Sequence, residues 1–362
     1  MSDIAKIDPN FSVKTNIFRE GLRFYPADAL FFQLYGIYYE DGKYRRMPEA
    51  VARTVNDGVL RLHANTSGGR IRFVTTSSYV AISVKMGQIG RMPHFALTGS
   101  AGFDLYERID GKHVFMGSFF PPYDMKDGYE SIVELGSTET HELILEFPLY
   151  SEVKELYIGL DENAVHERAS EYTHAIPIVY YGSSITQGGC ASRPGNAYPA
   201  MISRELDWDY INLGFSGNAK GEPEIAEYIS GLDMSMFVYD YDHNAPTPDH
   251  LRNTHEAMFQ KIRSVHPDIP ILMLTMPKKE PRQAGELWER EQIIRATYEK
   301  ARAEGDQNVY FLSGTELIGE AAQAATVDNC HPNDIGFYYM AKRVLKLIRE
   351  EIQTKQLTNS FL

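Results

Sequence analysis

The 362-residue sequence holds only two cysteines and no long hydrophobic run. Two cysteines cannot form a disulfide scaffold, and they argue against a zinc site built on cysteines. No stretch approaches the ~20 apolar residues of a membrane-spanning helix, so we expect no membrane partner. The N-terminal residues include no apolar segment of the kind found in signal peptides. We therefore expect a cytoplasmic protein, or a secreted one if a leader has been trimmed from this sequence.

Basic charge is also scarce. The chain carries 36 Lys and Arg against 49 Asp and Glu, which gives a formal net charge of −13. Binding to nucleic acid depends on clustered basic side chains, so a nucleic-acid partner is not expected. The hydrophobic content of 43% is typical of a globular protein. The length exceeds what one hydrophobic core usually serves, which predicts two domains.

The first half of the sequence has the two-residue period of β-strands. Apolar and polar residues alternate at residues 80–86, 143–147 and 156–160, and Gly, Pro and Asp turns separate such runs. This pattern is typical of antiparallel strands with one face in a core. It predicts a β-sandwich of jelly-roll type over residues 1–172.

The second half alternates short apolar runs with helical segments. The runs are residues 176–181, 210–215, 236–241, 270–276 and 309–312, and the helical patterns include residues 249–266 and an apolar face from 341 to 352. Five strand–helix units predict a parallel, doubly wound α/β sheet over residues 173–362. The polar stretch 162–173 is the predicted linker.

Four loops of this second half carry residues suited to catalysis. In an open parallel sheet, ligands bind beyond the carboxyl ends of the strands. The loops expected there contain Ser184, Gly217 and Asn244, and Asp328 and His331 stand before the last helix. A hydroxyl, a glycine N–H, an amide and a histidine near a carboxylate are together the groups that acyl transfer needs.

Each of these groups has a chemical reason to be present. A serine hydroxyl is a weak nucleophile and needs a base, and histidine serves because its unperturbed pKa is ~6.5. A carboxylate on the second ring nitrogen orients the imidazole. Preorganised donors stabilise the oxyanion of the transition state, and each is commonly worth ~10²–10³-fold.

The segment Gly182-Ser183-Ser184-Ile185 resembles the first block of the SGNH, or GDSL-type, hydrolases. The resemblance implies that Ser184 is the nucleophile and that its own N–H is one oxyanion donor. Gly217 and Asn244 resemble the glycine and asparagine of the second and third blocks, which complete the oxyanion hole in this family. Asp328 and His331 resemble the Asp-x-x-His-Pro ending, with His331 as base.

The resemblance covers about residues 176–352. It implies a flavodoxin-like sheet and a serine esterase with no cofactor and no metal. A β-sandwich ahead of such a domain is similar to the layout of carbohydrate esterases. We therefore expect removal of a short acyl group, acetyl above all, from a carbohydrate or oligosaccharide ester. The sequence leaves the oligomeric state open.

Some features depart from the family pattern and leave alternatives open. Ser183 stands where the family usually has Asp, and the third block, usually Gly-x-Asn-Asp, is residues 242–245, Asp-His-Asn-Ala. His243 could thus replace His331 as base. An acyltransferase could use the same site, and a carbohydrate-binding protein could retain a non-catalytic hydrolase domain. A phosphate cradle is excluded, because no P-loop or Gly-x-Gly-x-x-Gly motif is present.

Two further features bear on the surroundings of the site. Cys190 follows Ser184 by six residues and Cys330 adjoins His331. If Ser184 meets His331, the two thiols enter the same neighbourhood, where we expect them to be reduced. The loop at residues 91–95 is a candidate roof over the active site.

Overall fold

The computed structural model of the chain describes residues 16–278 and 284–353, without the side chains of Ala322 and Gln353. The N-terminal residues on which the expected cytoplasmic location depends lie outside these ranges. Among the described helices, none combines the length and the apolar character needed to cross a membrane.

The first half forms two antiparallel sheets. One has the order β1-β11-β6-β9, and the other has the order β12-β5-β10-β7-β8, with β2 added to β5. Strands β3 and β4 form a separate hairpin. The strands are β1 (Leu22–Pro26), β2 (Gln33–Tyr35), β3 (Tyr38–Glu40), β4 (Lys43–Arg45), β5 (Arg70–Thr75), β6 (Tyr79–Met86), β7 (Phe103–Ile109), β8 (Lys112–Phe119), β9 (Gly128–Glu134), β10 (His141–Glu146), β11 (Val153–Asp161) and β12 (His166–Glu167). From residue 16 onward this half also contains the short helices α1 (Glu49–Val55), α2 (Asp57–Leu62) and α3 (Leu97–Ser100).

The two sheets enclose one apolar core. Alternate residues of β6, such as Val80 and Ile82, lie in the same buried cluster as Phe73 on β5 and Leu143 on β10. Side chains from the facing surfaces of two sheets fill such a core. The predicted β-sandwich is confirmed, and the three runs with a two-residue period correspond to β6, β10 and β11.

The predicted linker packs against the sandwich. Within it, β12 pairs with β5, and the buried Tyr172 accepts a hydrogen bond of 2.9 Å from Arg70 Nε. Arg72 lies over the same ring, 4.2 Å from its centre. The stretch between the halves is therefore part of a packed interface.

The second half is a parallel five-stranded sheet with the order β14-β13-β15-β16-β17. The strands are β13 (His174–Gly182), β14 (Trp208–Gly214), β15 (Met236–Asp240), β16 (Ile271–Leu274) and β17 (Val309–Leu312). The helices are α4 (Ser184–Gln187), α5 (Tyr198–Leu206), α6 (Pro223–Ser230), α7 (Pro248–Val265), α8 (Glu286–Ala303), α9 (Gly314–Ile318) and α10 (Asp334–Leu347), with 3₁₀ turns at Pro194–Asn196 and Gly319–Ala324 and a π-helical turn at Ile348–Gln353. This strand order is that of flavodoxin-like folds, as predicted.

Apolar cores cover both faces of the parallel sheet. On β13, Ile178 and Tyr180 face one core, while Val179 and Tyr181 face the other. A parallel strand covered on both faces has a continuous apolar run, which is why residues 176–181 were recognisable as a strand. The strand order reverses between β13 and β15, and the loops that follow these strands lie at this switch point, where such sheets bind ligands.

Candidate active site

The turn after β13 positions Ser184. A Cβ atom at Gly182 would lie 1.7 Å from Asp240 Oδ1, so only glycine fits there. The space lets Asp240 Oδ1 accept the N–H of Ser183 at 3.0 Å. The Ser183 hydroxyl in turn caps α4 by accepting the N–H of Ile185 at 3.1 Å. Ser184 is thereby the first residue of a short helix, where backbone N–H groups have no partner within the helix.

Ser184, His331 and Asp328 form a hydrogen-bonded chain. The Ser184 hydroxyl lies 2.9 Å from His331 Nε2, and His331 Nδ1 lies 2.7 Å from Asp328 Oδ2. Burial raises the pKa of Asp328, but hydrogen bonds from His331 and from the Cys330 N–H outweigh it and bring the pKa to about 2. Asp328 is thus ionised at neutral pH and accepts a hydrogen bond from the Nδ1–H group of His331, which leaves Nε2 without a proton and able to accept one from the Ser184 hydroxyl.

The next strand-end loops bring Gly217 and Asn244 into this region. Gly217 has a left-handed φ of 69°, and its Cα faces open space. Asn244 Nδ2 donates to the Phe215 carbonyl at 3.3 Å, which joins the loop after β15 to the loop after β14. Within the described residues, the N–H groups of Ser184 and Gly217 donate to no other group. Both remain available to an oxyanion.

Gln187 ties α4, the helix that begins at Ser184, to the Gly217 loop, and sequence analysis missed this role. Its Oε1 accepts the N–H of Ser216 at 2.9 Å, and its Nε2 donates to Asn65 Oδ1 in the sandwich at 3.1 Å. The side chain is fully buried. Its presence in the Ser184 loop was visible in the sequence, but its partners are more than 25 residues away and left no local signal.

The sandwich contributes two more residues near the catalytic chain. Tyr150 donates its hydroxyl to the Ser184 carbonyl at 3.0 Å. The predicted roof, loop 91–95, brings His94 to 3.8 Å from Asp328, between Nε2 and Oδ2. The rings of His94 and His331 are 5.7 Å apart. The loop therefore lies next to His331 and Asp328.

His243, the other candidate base, forms no hydrogen bond with Ser184 among the described residues. Its Nδ1 lies 2.8 Å from Asp242 Oδ1, and the Ser184 hydroxyl is paired with His331 instead. Burial lowers the pKa of His243, but the hydrogen bond to Asp242 outweighs it, so the pKa is raised. Asp242 and His243, the third-block residues that depart from the family pattern, thus pair with each other.

The two thiols are both free, as the sequence favoured. Burial raises the pKa of Cys190 to about 12 and that of Cys330 to about 11. Both thiols are therefore neutral at pH 7, a state in which a thiol is a poor nucleophile.

Family profiles match both halves of the chain. The GDSL-like lipase/acylhydrolase family matches residues 175–349. A family described as the N-terminus of SGNH hydrolase-type esterases matches residues 22–165. The latter is named for a Gly-x-Asp-Leu-Tyr pattern, found here at residues 102–106. In this pattern the buried Asp104 accepts hydrogen bonds from Arg193, at 3.1 Å, and from the Gly195 N–H, at 2.9 Å, and so fixes the segment that follows α4.

A solved structure from Bacteroides ovatus, described as a GDSL-like lipase, is 32% identical to the chain. The match covers 92% of this chain and 98% of that one, with a TM-score of 0.82. The chain belongs to the GDSL-like lipase/acylhydrolase family. It is an SGNH-type esterase, and the predicted family and enzyme class are confirmed.

More distant structures share the fold of this esterase. A salicylyl-acyltransferase from a tetracycline biosynthetic pathway is 20% identical, over 90% of this chain and 96% of that one, with a TM-score of 0.72. An acetyl xylan esterase from the rumen bacterium Butyrivibrio proteoclasticus is 13% identical, over 92% and 99%, with a TM-score of 0.57. A search of curated proteins returned no match.

Proposed function

We propose that Ser184 is the nucleophile of this esterase, with His331 as general base and Asp328 as the group that orients it. The observation that carries the proposal is the continuous chain of hydrogen bonds from the Ser184 hydroxyl through His331 to Asp328, at 2.9 and 2.7 Å. A base in contact with the hydroxyl, itself held by an ionised carboxylate, is the arrangement that activates serine.

The reaction proceeds through an acyl-enzyme. Ser184 Oγ attacks the ester carbonyl while its proton passes to His331 Nε2. The tetrahedral oxyanion accepts hydrogen bonds from the N–H groups of Ser184 and Gly217 and from the Asn244 amide. Collapse expels the alcohol, which takes the proton from His331. Water then attacks the acyl-enzyme in the same way, and the acid and free Ser184 are released.

The proposed substrate is a short acyl ester, in particular an acetyl ester, of a carbohydrate. An acetyl xylan esterase shares the two-part fold, which supports this class of substrate. The loops that bear Gly217 and Asn244 carry partly exposed small and polar side chains, among them Ser216 and Asn218. Such a surface suits a small acyl group and a polar alcohol better than a long lipid chain.

An acyltransferase is the second candidate, and one observation favours it. A salicylyl-acyltransferase has the same fold over nearly its whole length. The two reactions share the acyl-enzyme and differ only in whether water or an alcohol attacks it. Acetylated sugars tested with and without competing alcohols separate them, since transfer produces a new ester.

The nucleophile is tested by labelling and by substitution. A serine-directed organophosphonate should modify Ser184, and Ser184→Ala should lower kcat for 4-nitrophenyl acetate by on the order of 10⁴ or more. The matched control is the neighbouring Ser183→Ala, which should still be labelled because its hydroxyl bonds Ile185 N–H rather than His331. Label on any serine other than Ser184 would overturn the assignment.

A further inference from the structure

Three metal-ligating side chains meet at the edge of the active site. His94 comes from the sandwich loop, Cys190 from the segment after α4, and His331 from the catalytic chain. One ligand atom of each, a ring nitrogen or the Sγ atom, lies within 4.8 Å of the others. Ligand bonds of ~2.0–2.3 Å place neighbouring ligands of tetrahedral zinc ~3.3–3.7 Å apart. Small side-chain rotations would therefore bring all three atoms to one ion.

His331 is already oriented as zinc-bound histidines are. Its Nδ1 is paired with Asp328 at 2.7 Å, so an ion would bind at Nε2 and replace the hydrogen bond of 2.9 Å that this nitrogen forms with the Ser184 hydroxyl. A carboxylate on the second nitrogen is the usual partner of a metal-bound histidine, because it fixes the ring and increases its basicity. The contact that prepares His331 to accept a proton thus also prepares it to bind a cation.

Cys190, whose Sγ atom lies within 4.8 Å of a ring nitrogen of His331, has an uncommon backbone conformation. Its φ is 76°, in the left-handed region that few residues other than glycine adopt. The preceding Gly189 lies next to His331, since a Cβ atom there would be in ordinary van der Waals contact with the ring Cδ2 at 3.4 Å. The proposed esterase mechanism gives the Cys190 thiol no task.

His94 is the most solvent-exposed of the three side chains. Its side chain is 35% exposed, against 23% for His331, and Cys190 is buried. An ion arriving from solvent would meet His94 first. One thiolate and two imidazoles form a ligand set that favours Zn²⁺, whereas Mg²⁺ and Ca²⁺ prefer oxygen ligands.

We propose that His94, Cys190 and His331 form an inhibitory binding site for Zn²⁺. Binding displaces the thiol proton of Cys190 to solvent and occupies the Nε2 lone pair of His331, with no change of oxidation state. His331 then cannot accept the Ser184 proton, and hydrolysis stops until the ion leaves. The inhibition rests on the proposed role of His331 as base, whereas the binding does not. The ion is an inhibitor and not a cofactor of the esterase.

Binding is tested with Co²⁺, which reports a thiolate ligand by its charge-transfer absorption. The metal-free full-length protein titrated with Co²⁺ should develop this band, and Zn²⁺ should abolish it by competition. The matched control Cys330→Ser should keep the band, because Cys330 is outside the cluster, whereas Cys190→Ser and Cys190→Ala should lack it. His94→Ala should bind Co²⁺ at least ~10-fold more weakly. No band in the parent protein, or a band that survives loss of Cys190, would overturn the site.

Inhibition is tested separately with 4-nitrophenyl acetate. Zn²⁺ should inhibit the parent enzyme and Cys330→Ser, and a chelator should restore activity. Cys190→Ala and His94→Ala should hydrolyse the ester without Zn²⁺ and need at least ~10-fold more Zn²⁺ for half-inhibition. Equal sensitivity of all variants would overturn the proposal, and so would cobalt binding without inhibition by zinc. A failure of the proposed function would instead appear as full activity of Ser184→Ala, with the cobalt band unaffected.

Discussion

The hydroxyl of Tyr150, a residue of the β-sandwich, donates a hydrogen bond of 3.0 Å to the carbonyl oxygen of Ser184. The same oxygen accepts the N–H groups of Gly188, at 3.1 Å, and of Gly189, at 2.7 Å. The backbone of Ser184, the proposed nucleophile, is thus fixed from both halves of the chain. The N-terminal half thereby supports the active site directly.

Tyr150→Phe should lower both stability and turnover by a small amount. The Ser184 carbonyl keeps its other two donors, so the loss is that of one net hydrogen bond, ~1 kcal/mol. If all of it appears in the transition state, kcat falls ~5-fold. Urea unfolding and steady-state kinetics measure the two effects. Tyr129→Phe is the control, since that hydroxyl bonds Ala101 O within the sandwich at 3.1 Å, and it should lower stability without changing kcat. Equal kinetics for the two variants would contradict the support role.

Asn244→Ala should lower kcat by roughly 10²–10³ and leave KM almost unchanged, because an oxyanion donor acts on charge that develops only in the transition state. Asn244→Asp keeps the side-chain size but cannot donate, so its loss should be at least as large. Steady-state kinetics on a short ester checks both variants. A change in KM alone would make Asn244 a substrate-binding residue instead.

Asp240→Asn should remove a pH dependence of stability. Burial raises the pKa of Asp240 from 3.8 to about 7, against the lowering effects of His243, Thr186 and Ser183. Between these two pH values the folded state holds a proton that the unfolded state has lost. The contribution of Asp240 to the free energy of unfolding is therefore largest below pH 4. It decreases by on the order of 4 kcal/mol as the pH rises to about 7.

The asparagine variant keeps an acceptor for the Ser183 N–H and cannot titrate. Because Asp242 and His243 titrate in both proteins, the quantity to compare is the difference in unfolding free energy between parent and variant across this pH range. That difference should shift in favour of the variant as pH rises. A difference that is constant from pH 4 to 7 would show that Asp240 is ionised throughout.

Short acyl chains should be the best substrates. Each CH₂ buried against apolar surface contributes ~0.8 kcal/mol, and the small polar residues around Gly217 and Asn244 offer little such surface. The value of kcat/KM should be highest from acetyl to butyryl esters and fall by octanoyl, and acetylated sugars should exceed alkyl acetates. The measurement is kcat/KM for a series of 4-nitrophenyl esters, after the hydrolysis seen with Ser184→Ala has been subtracted as background. Activity that rises through decanoate would identify a lipase.

The local pattern of the sequence was enough for the sheets, and the family resemblance for the candidate catalytic residues. The apolar run 309–312 predicts a strand, because a strand covered on both faces must be apolar throughout. The observed β17 has the same bounds. Gln187 and Tyr150 were missed because their roles depend on partners far along the chain. Asp240 was missed because its contact with Gly182 exists only when β13 and β15 are neighbours in the sheet. Neither strand's sequence alone indicates that they are neighbours.

The buried arginines of β5 restrict how the two halves of the chain can be recombined during evolution. Arg70 pairs with Asp209 of the other half, and Arg72 pairs with Asp207 of the other half at 3.2 Å and with Glu142 of its own half at 3.1 Å. Removing one partner of a buried pair commonly costs ~3–5 kcal/mol. A gene fusion that recombines this sandwich with a foreign hydrolase would therefore have to transfer the aspartates with the arginines. Recombination of the two halves as independent modules should therefore be selected against. New specificities should instead arise by substitutions in chains that keep both halves together.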